Sequence, residues 1–120
     1  MDSADLSRGI ALFNRSKFFE AHEALEDVWR TAPLEEKKFF QGLVQAAVAF
    51  HHFSTGNWTG MRSVMERAIR NLDGCPADFH GLNVAPLVHS MAQWRKAVES
   101  SQPLPPLPRI EMTDHEPQAI

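Results

Sequence analysis

The sequence predicts an all-α fold: a compact bundle of about five helices with an extended proline-rich C-terminal tail. Three observations carry the prediction. Apolar residues recur at i, i+3 and i+4 through most of the chain. The breaks between these stretches hold helix-stop and helix-start residues. No stretch alternates with the period of two that a half-buried strand requires. With 120 residues the chain has the size of one domain around a single core. We expect residues 1–102 to form the bundle and residues 103–120 the tail.

Each helix has its own justification. Leu6, Ile10 and Phe13 share a face over residues 5–14. The second helix is expected over residues 17–31, with Ser16 as its N-cap. Pro33 suits the opening of the third, and Glu35 and Glu36 complement the dipole of its first turn. That helix continues to about residue 55, where Gly56 can take the left-handed conformation that ends a helix. Asn57 caps the fourth, whose Met61, Val64, Met65, Ala68, Ile69 and Leu72 form an unbroken apolar stripe. Asp73, Gly74 and Pro76 stop it. Asn83 caps the fifth, Pro86 is tolerated in its first turn, and Val84, Leu87, Val88, Met91, Trp94 and Val98 supply its buried face. Nothing in the chain reads as a strand.

Composition narrows the function classes. The 12 Lys and Arg are scattered and the net charge is −3, which excludes the basic stripe of a dedicated nucleic-acid binder. No apolar run reaches the length of a membrane span and no leader opens the chain, so no membrane partner is expected. The lone Cys75 excludes an intramolecular disulfide and a Cys-rich zinc site, and a reducing cytoplasm is the default.

The most informative stretch runs from Phe18 through Phe19, Glu20, Ala21, His22 and Glu23 to Glu26 and Trp29. At about 100° per residue, Phe18, Ala21, Leu25, Val28 and Trp29 share one face, with His22 between Phe18 and Trp29. Glu26 lies at the edge of that face beside Phe19, four residues from His22 and hence its neighbour. Glu23 and Arg30 flank. Burying polar groups is costly without partners, so this placement needs an explanation.

The third helix is apolar almost all round, which marks it as central. Its Gln41, Gln45 and His52 lie along one side, with His51 elsewhere near Phe40 and Val44. We expect the Gln41 side to meet His22 and Glu26 across a helix interface. Three readings of the cluster stand. It is a buried polar network that sets helix register. It is a metal or small-ligand site in which Glu23, Gln41, Gln45 and His52 join the pair. Or it is an acid–base pair in which His22 carries the proton and Glu26 orients it. A divalent cation is the one cofactor these residues suggest, through His22, Glu26 and His52. The order His-Glu-x-x-Glu lacks the second histidine of a zinc protease and the repeated Glu-x-x-His of di-iron bundles. Adjacent His51 and His52 point about 100° apart on a helix, which disfavours a shared ion.

Trp29, Trp58 and Trp94 stand at core spacings, and Gly56-Asn57 reads as a turn and cap rather than a phosphate loop. In the tail, Pro103, Pro105, Pro106 and Pro108 favour polyproline II. An extended strap along the bundle is expected, using Leu104, Leu107 and Ile110. Residues from Thr113 on, including His115, are expected to be loose.

At a spacing of about forty residues, Ser16, Phe18, Ala21, Leu25 and Val28 align with Gly56, Trp58, Met61, Met65 and Ala68. This resembles the tetratricopeptide pattern of stacked helix pairs, here two helix-turn-helix units and a capping helix. The larger motif set is Phe13-Asn14, the Phe18-to-Trp29 stretch, then Phe39, Phe40, Gln41, Gly42, Leu43, Val44 and Gln45 with His51-His52, then Gly56-Asn57 and Gly60. In order and spacing it resembles the small helical family called domain of unknown function 309, over residues 13 to about 61. Ser16 stands where that family often has glycine, and Met61 where it usually has a small residue. The resemblance implies an all-α fold and brings no reaction with it.

Two functional expectations follow. The first is a non-catalytic helical interaction or scaffold module, self-associating or binding a protein partner, with its polar network around His22 and Glu26. The alternative is a small-ligand or metal-dependent enzyme with a pocket between the second and third helices.

Overall fold

The computed structural model describes residues 3–76 and 78–112. Among these, five helices follow one another: α1 (Ser3–Asn14), α2 (Phe18–Thr31), α3 (Lys37–Ser54), α4 (Trp58–Leu72) and α5 (Ala85–Glu99). The protein is all-α, as its periodicity predicts. One correction concerns strands. Leu82–Asn83 (β1) and Glu111–Met112 (β2) pair antiparallel, Leu82 opposite Met112 and Asn83 opposite Glu111. Two residues of extended backbone are too short to leave a period in a sequence.

The turns explain the repeat. α1 ends with Ser16 N–H donating to Phe13 O at 2.9 Å and Lys17 N–H to Leu12 O at 2.9 Å. α3 ends the same way, Gly56 N–H to Phe53 O at 3.1 Å and Asn57 N–H to His52 O at 2.8 Å. Both are Schellman ends, which need one residue at positive φ; here these are Ser16 at 62° and Gly56 at 80°. Ser16 therefore closes α1 and does not cap α2, whose N-cap Lys17 makes no side-chain bond. Asn57 does cap α4, its Oδ1 accepting the Gly60 N–H at 2.9 Å. Pro33 leads into a 3-10 turn, Leu34–Glu36, before α3 begins. Asn83 falls in β1 and Val84 holds the N-cap position of α5, but Asn83 Oδ1 still accepts the Ala85 N–H at 3.4 Å, so it serves the start of the helix from one residue earlier.

α3 is the central helix and buries Phe39, Phe40, Gly42, Leu43, Val44, Ala46, Ala47, Ala49 and Phe50. It packs against α2 on one side and α4 on the other. A Cβ placed on Gly42 would lie 2.6 Å from Leu72 Cγ, so the Leu72 side chain of α4 fills the space that a side chain at 42 would need. An aromatic cluster joins the layers: Phe13 to Phe18 at 5.2 Å, Phe18 to Phe50 at 5.6 Å, and Phe50 and Phe53 to Trp94 of α5 at 5.2 and 4.9 Å. Trp94 is core as expected, but Trp58 is 44% exposed because it sits at the first position of α4, on the rim.

The tail returns along the bundle. Trp94 Nε1–H donates to Pro106 O at 3.0 Å, and Pro108 and Ile110 are buried. Asn14 grips Ile110 twice: Nδ2–H donates to its carbonyl at 3.0 Å and Oδ1 accepts its N–H at 2.7 Å. Of the expected anchors Ile110 is buried, joined by Pro108, while Leu104 and Leu107 stay 40% exposed. The expectation for residues from Thr113 on falls outside the described residues. No described helix is long and apolar enough to cross a membrane.

Candidate functional site

α2 buries Phe18, Ala21, Ala24, Leu25 and Val28 against α1 and α3. Its next stripe round the wheel, Phe19, His22, Glu26 and Trp29, emerges on the shoulder towards α3. His22 Nε2 lies 3.5 Å from Glu26 Oε1, so the pair expected from the spacing forms. It is not buried. The side chains keep 26% and 41% of their exposure, and no polar or charged residue is fully buried among those described. The apolar arc of α2 is centred on Ala21, Leu25 and Val28, which leaves His22 at its edge. Glu26 is also approached by Arg30 Nη2 at 3.8 Å, while Arg30 Nη1–H donates to Asp27 Oδ1 at 2.6 Å.

Phe19 is 49% exposed, with its ring 5.9 Å from His22 and 5.4 Å from His51. At the other end of the stripe Lys37 Nζ sits 4.7 Å over the Trp29 ring. The same ammonium donates to the carbonyls of Trp29 at 2.6 Å and Arg30 at 3.1 Å, covering the last turn of α2. The shoulder is therefore a patch of aromatic rings and imidazoles on two tightly packed helices.

The remaining candidates go elsewhere. Gln45 faces α4, its Oε1 accepting Asn71 Nδ2–H at 2.7 Å. His52 Nδ1 lies 3.3 Å from Asn57 Nδ2 at the α3–α4 turn. Gln41 is half-buried one turn before Gln45. So it is His51, and not the Gln45 and His52 side, that reaches the His22 region. α3 has a neighbour on each flank, and a helical wheel does not say which flank faces which. Glu23 and Glu26 line a shallow depression of about 400 Å³ with Arg8, Glu20, Asp27 and Arg30. Among the described residues no three His, Cys, Asp or Glu come together in a metal-binding arrangement.

Two features lay beyond sequence reasoning. His80 Nε2 meets Glu36 Oε1 at 3.0 Å, with side chains 25% and 23% exposed, and its ring packs 5.1 Å from Phe40. This pair pins the α4–α5 loop to the start of α3. Its members are 44 residues apart, so no spacing announced it. The second is a groove of about 430 Å³ between the end of α4 and the start of α5, with Cys75, Asn83, Val88 and His89 on its walls. Burial pushes the Cys75 thiol above its ordinary range; Lys38 opposes this and Asp73 adds to it.

These features define a class: an all-helical module of paired helices whose polar motif lies on an exposed shoulder rather than inside a pocket. Comparison with known proteins places it further. Residues 6–64 match the family described as Domain of unknown function (DUF309), and this part of the chain belongs to that family. The match takes in most of α1, all of α2 and α3 and the first half of α4, including every residue of the shoulder. The chain is 40% identical over 73 residues to an uncharacterized protein of Aquifex aeolicus (strain VF5), covering 60% of this chain and 22% of that protein. It is 38% identical over 56 residues to uncharacterized protein YpuF of Bacillus subtilis (strain 168), covering 46% of this chain and 32% of that one. The chain thus spans between about a fifth and a third of the length of these relatives.

Proposed function

We propose that this chain is a non-catalytic helical interaction module that docks protein through the α2–α3 shoulder. The observation that carries the reading is Phe19: a phenylalanine 49% exposed on a rigid helix, set between the rings of His22 and His51. Large apolar side chains flanked by polar ones are a recurring feature of docking patches. His22 and Glu26 act there as orienting polar contacts. The separation of Gln45 and His52 from this pair supports binding over catalysis. The matching Schellman turns after α1 and α3 fit stacked helix pairs of tetratricopeptide type, and the free thiol of Cys75 fits a reducing compartment such as the cytoplasm.

The test is affinity capture from a cell extract with the wild-type chain and Phe19→Lys. The lysine replaces a half-exposed ring and leaves the core untouched. We expect proteins retained by wild type to be lost with the variant. Identical retention by both would refute the reading. A second reading, small-molecule binding, is favoured by the apolar groove between α4 and α5. Ligand-induced NMR shifts confined to Cys75, Val88 and His89 would select it over the shoulder.

A further inference from the structure

The shoulder has an internal symmetry. Phe19, His22, Glu26 and Trp29 are separated by three, four and three residues, the spacing of a helix–helix seam. The order is aromatic, imidazole, carboxylate, aromatic, and it reads as its own complement when reversed about Ala24. We infer that this seam binds a second copy of the chain, α2 packing antiparallel on the partner's α2 about a two-fold axis. The axis crosses the seam at the height of residue 24, whose own side chain is buried on the opposite face. The inference rests on the shoulder being a docking surface and names its occupant.

The geometry follows from the numbering. In an isologous contact residue i meets residue j and j meets i. An axis at Ala24 sets His22 opposite the Glu26 of the partner subunit, and Glu26 opposite the partner's His22. The same axis sets Phe19 against the partner's Trp29, and Trp29 against the partner's Phe19. Each site is thus incomplete without the other copy. Within one copy the His22–Glu26 separation of 3.5 Å is at the outer limit for a hydrogen bond, so both groups keep bonding capacity for a partner. Trp29 has one face under Lys37 and is partly buried against the core, keeping only part of its ring in solvent. A parallel arrangement would instead set imidazole on imidazole and carboxylate on carboxylate, which is disfavoured.

The seam spans about 15 Å, from the 1.5 Å rise per residue. Four side chains per copy make a contact well below the standard interface size, so the dimer is a weak one. Sedimentation equilibrium of the full chain, from low micromolar to about 1 mM, reads it directly. Phe19→Lys weakens association about tenfold or more. His22→Glu alone opposes two carboxylates, and Glu26→Lys alone removes the acceptor. An equimolar mixture of these two variants recovers association to within about threefold of wild type, because each supplies what the other lacks. A wild type that stays monomeric at about 1 mM overturns the inference. So does a dimer indifferent to Phe19→Lys, or a mixture no better than its components. A monomer that still captures another protein through Phe19 sinks the self-pairing alone. A monomer that captures nothing sinks the docking surface with it.

Discussion

Replacing Asn14 by alanine should free the C-terminal strap before it unfolds the bundle. The Asn14 amide closes a two-point clasp on Ile110, with bonds of 2.7 and 3.0 Å, and its own carbonyl accepts Arg109 Nη1–H at 3.2 Å. Losing two hydrogen bonds worth about 1 kcal/mol each costs about 2 kcal/mol. If the strap stayed in place, the partly buried Ile110 N–H and C=O would lack partners, adding about 1–3 kcal/mol. The strap has a cheaper course. Ile110 is 1% exposed, so releasing it forfeits about 1.5–3 kcal/mol of burial, and the Trp94–Pro106 bond adds about 1. Against that, each freed residue regains about 1–2 kcal/mol of backbone entropy. Release therefore competes with staying bound, and the global loss is held to about 2 kcal/mol or less. Two assays separate the outcomes. Urea unfolding by circular dichroism reports the bundle, and trypsin cleavage after Arg109 reports the strap. We expect cleavage to accelerate about tenfold while the midpoint moves modestly. Unchanged cleavage and unchanged stability would show that the clasp contributes nothing.

Other positions give sharper single readings. Gly42→Ala places a Cβ 2.6 Å from Leu72 Cγ; overpacking of about 1–3 kcal/mol exceeds the helix propensity gain of about 1, so thermal unfolding should show a net loss. Leu72→Ala in the same chain should relieve part of the clash, giving a non-additive double-mutant cycle. Ser16→Gly removes the strain of a serine at φ 62° and should stabilise by about 0.5 kcal/mol in urea unfolding, after the entropy glycine adds to the unfolded chain. Glu26→Gln and His22→Gln should each change stability by less than about 1 kcal/mol, because the pair is half-exposed; a loss of two or more would mean a structural network after all. Cys75 should alkylate more slowly than an unstructured thiol near pH 8. Burial disfavours its thiolate, so its rate should rise only at higher pH. An iodoacetamide pH profile matching free cysteine would contradict that.

The helices were legible because each carries its own local signal. Gly56 and Asn57 mark one turn in glycine and cap chemistry that works the same way in any fold. Ser16 was misread for a related reason. Serine is a strong N-cap, and nothing local tells a residue starting one helix from one closing the previous helix at positive φ. Contacts between distant residues were not legible. His80 with Glu36, and Asn14 with Ile110, depend on how loops return across the bundle.

The polar motif shows where sequence reasoning divides. The wheel placed His22 beside Glu26 correctly, since that relation lies within one helix. It then treated the stripe as buried, because Phe18 and Trp29 bracket it. Burial is a property of two helices, and the fully buried arc of α2 ends at Phe18, Leu25 and Val28, while the next stripe is only partly covered by α3. What remains is a seam with core-like spacing that α3 touches only at its ends, through His51 at Phe19 and Lys37 at Trp29. The same composition that suggested a buried network is, once exposed, the composition of a contact. In the proposed contact Phe19 and Trp29 would supply apolar area, and His22 and Glu26 direction.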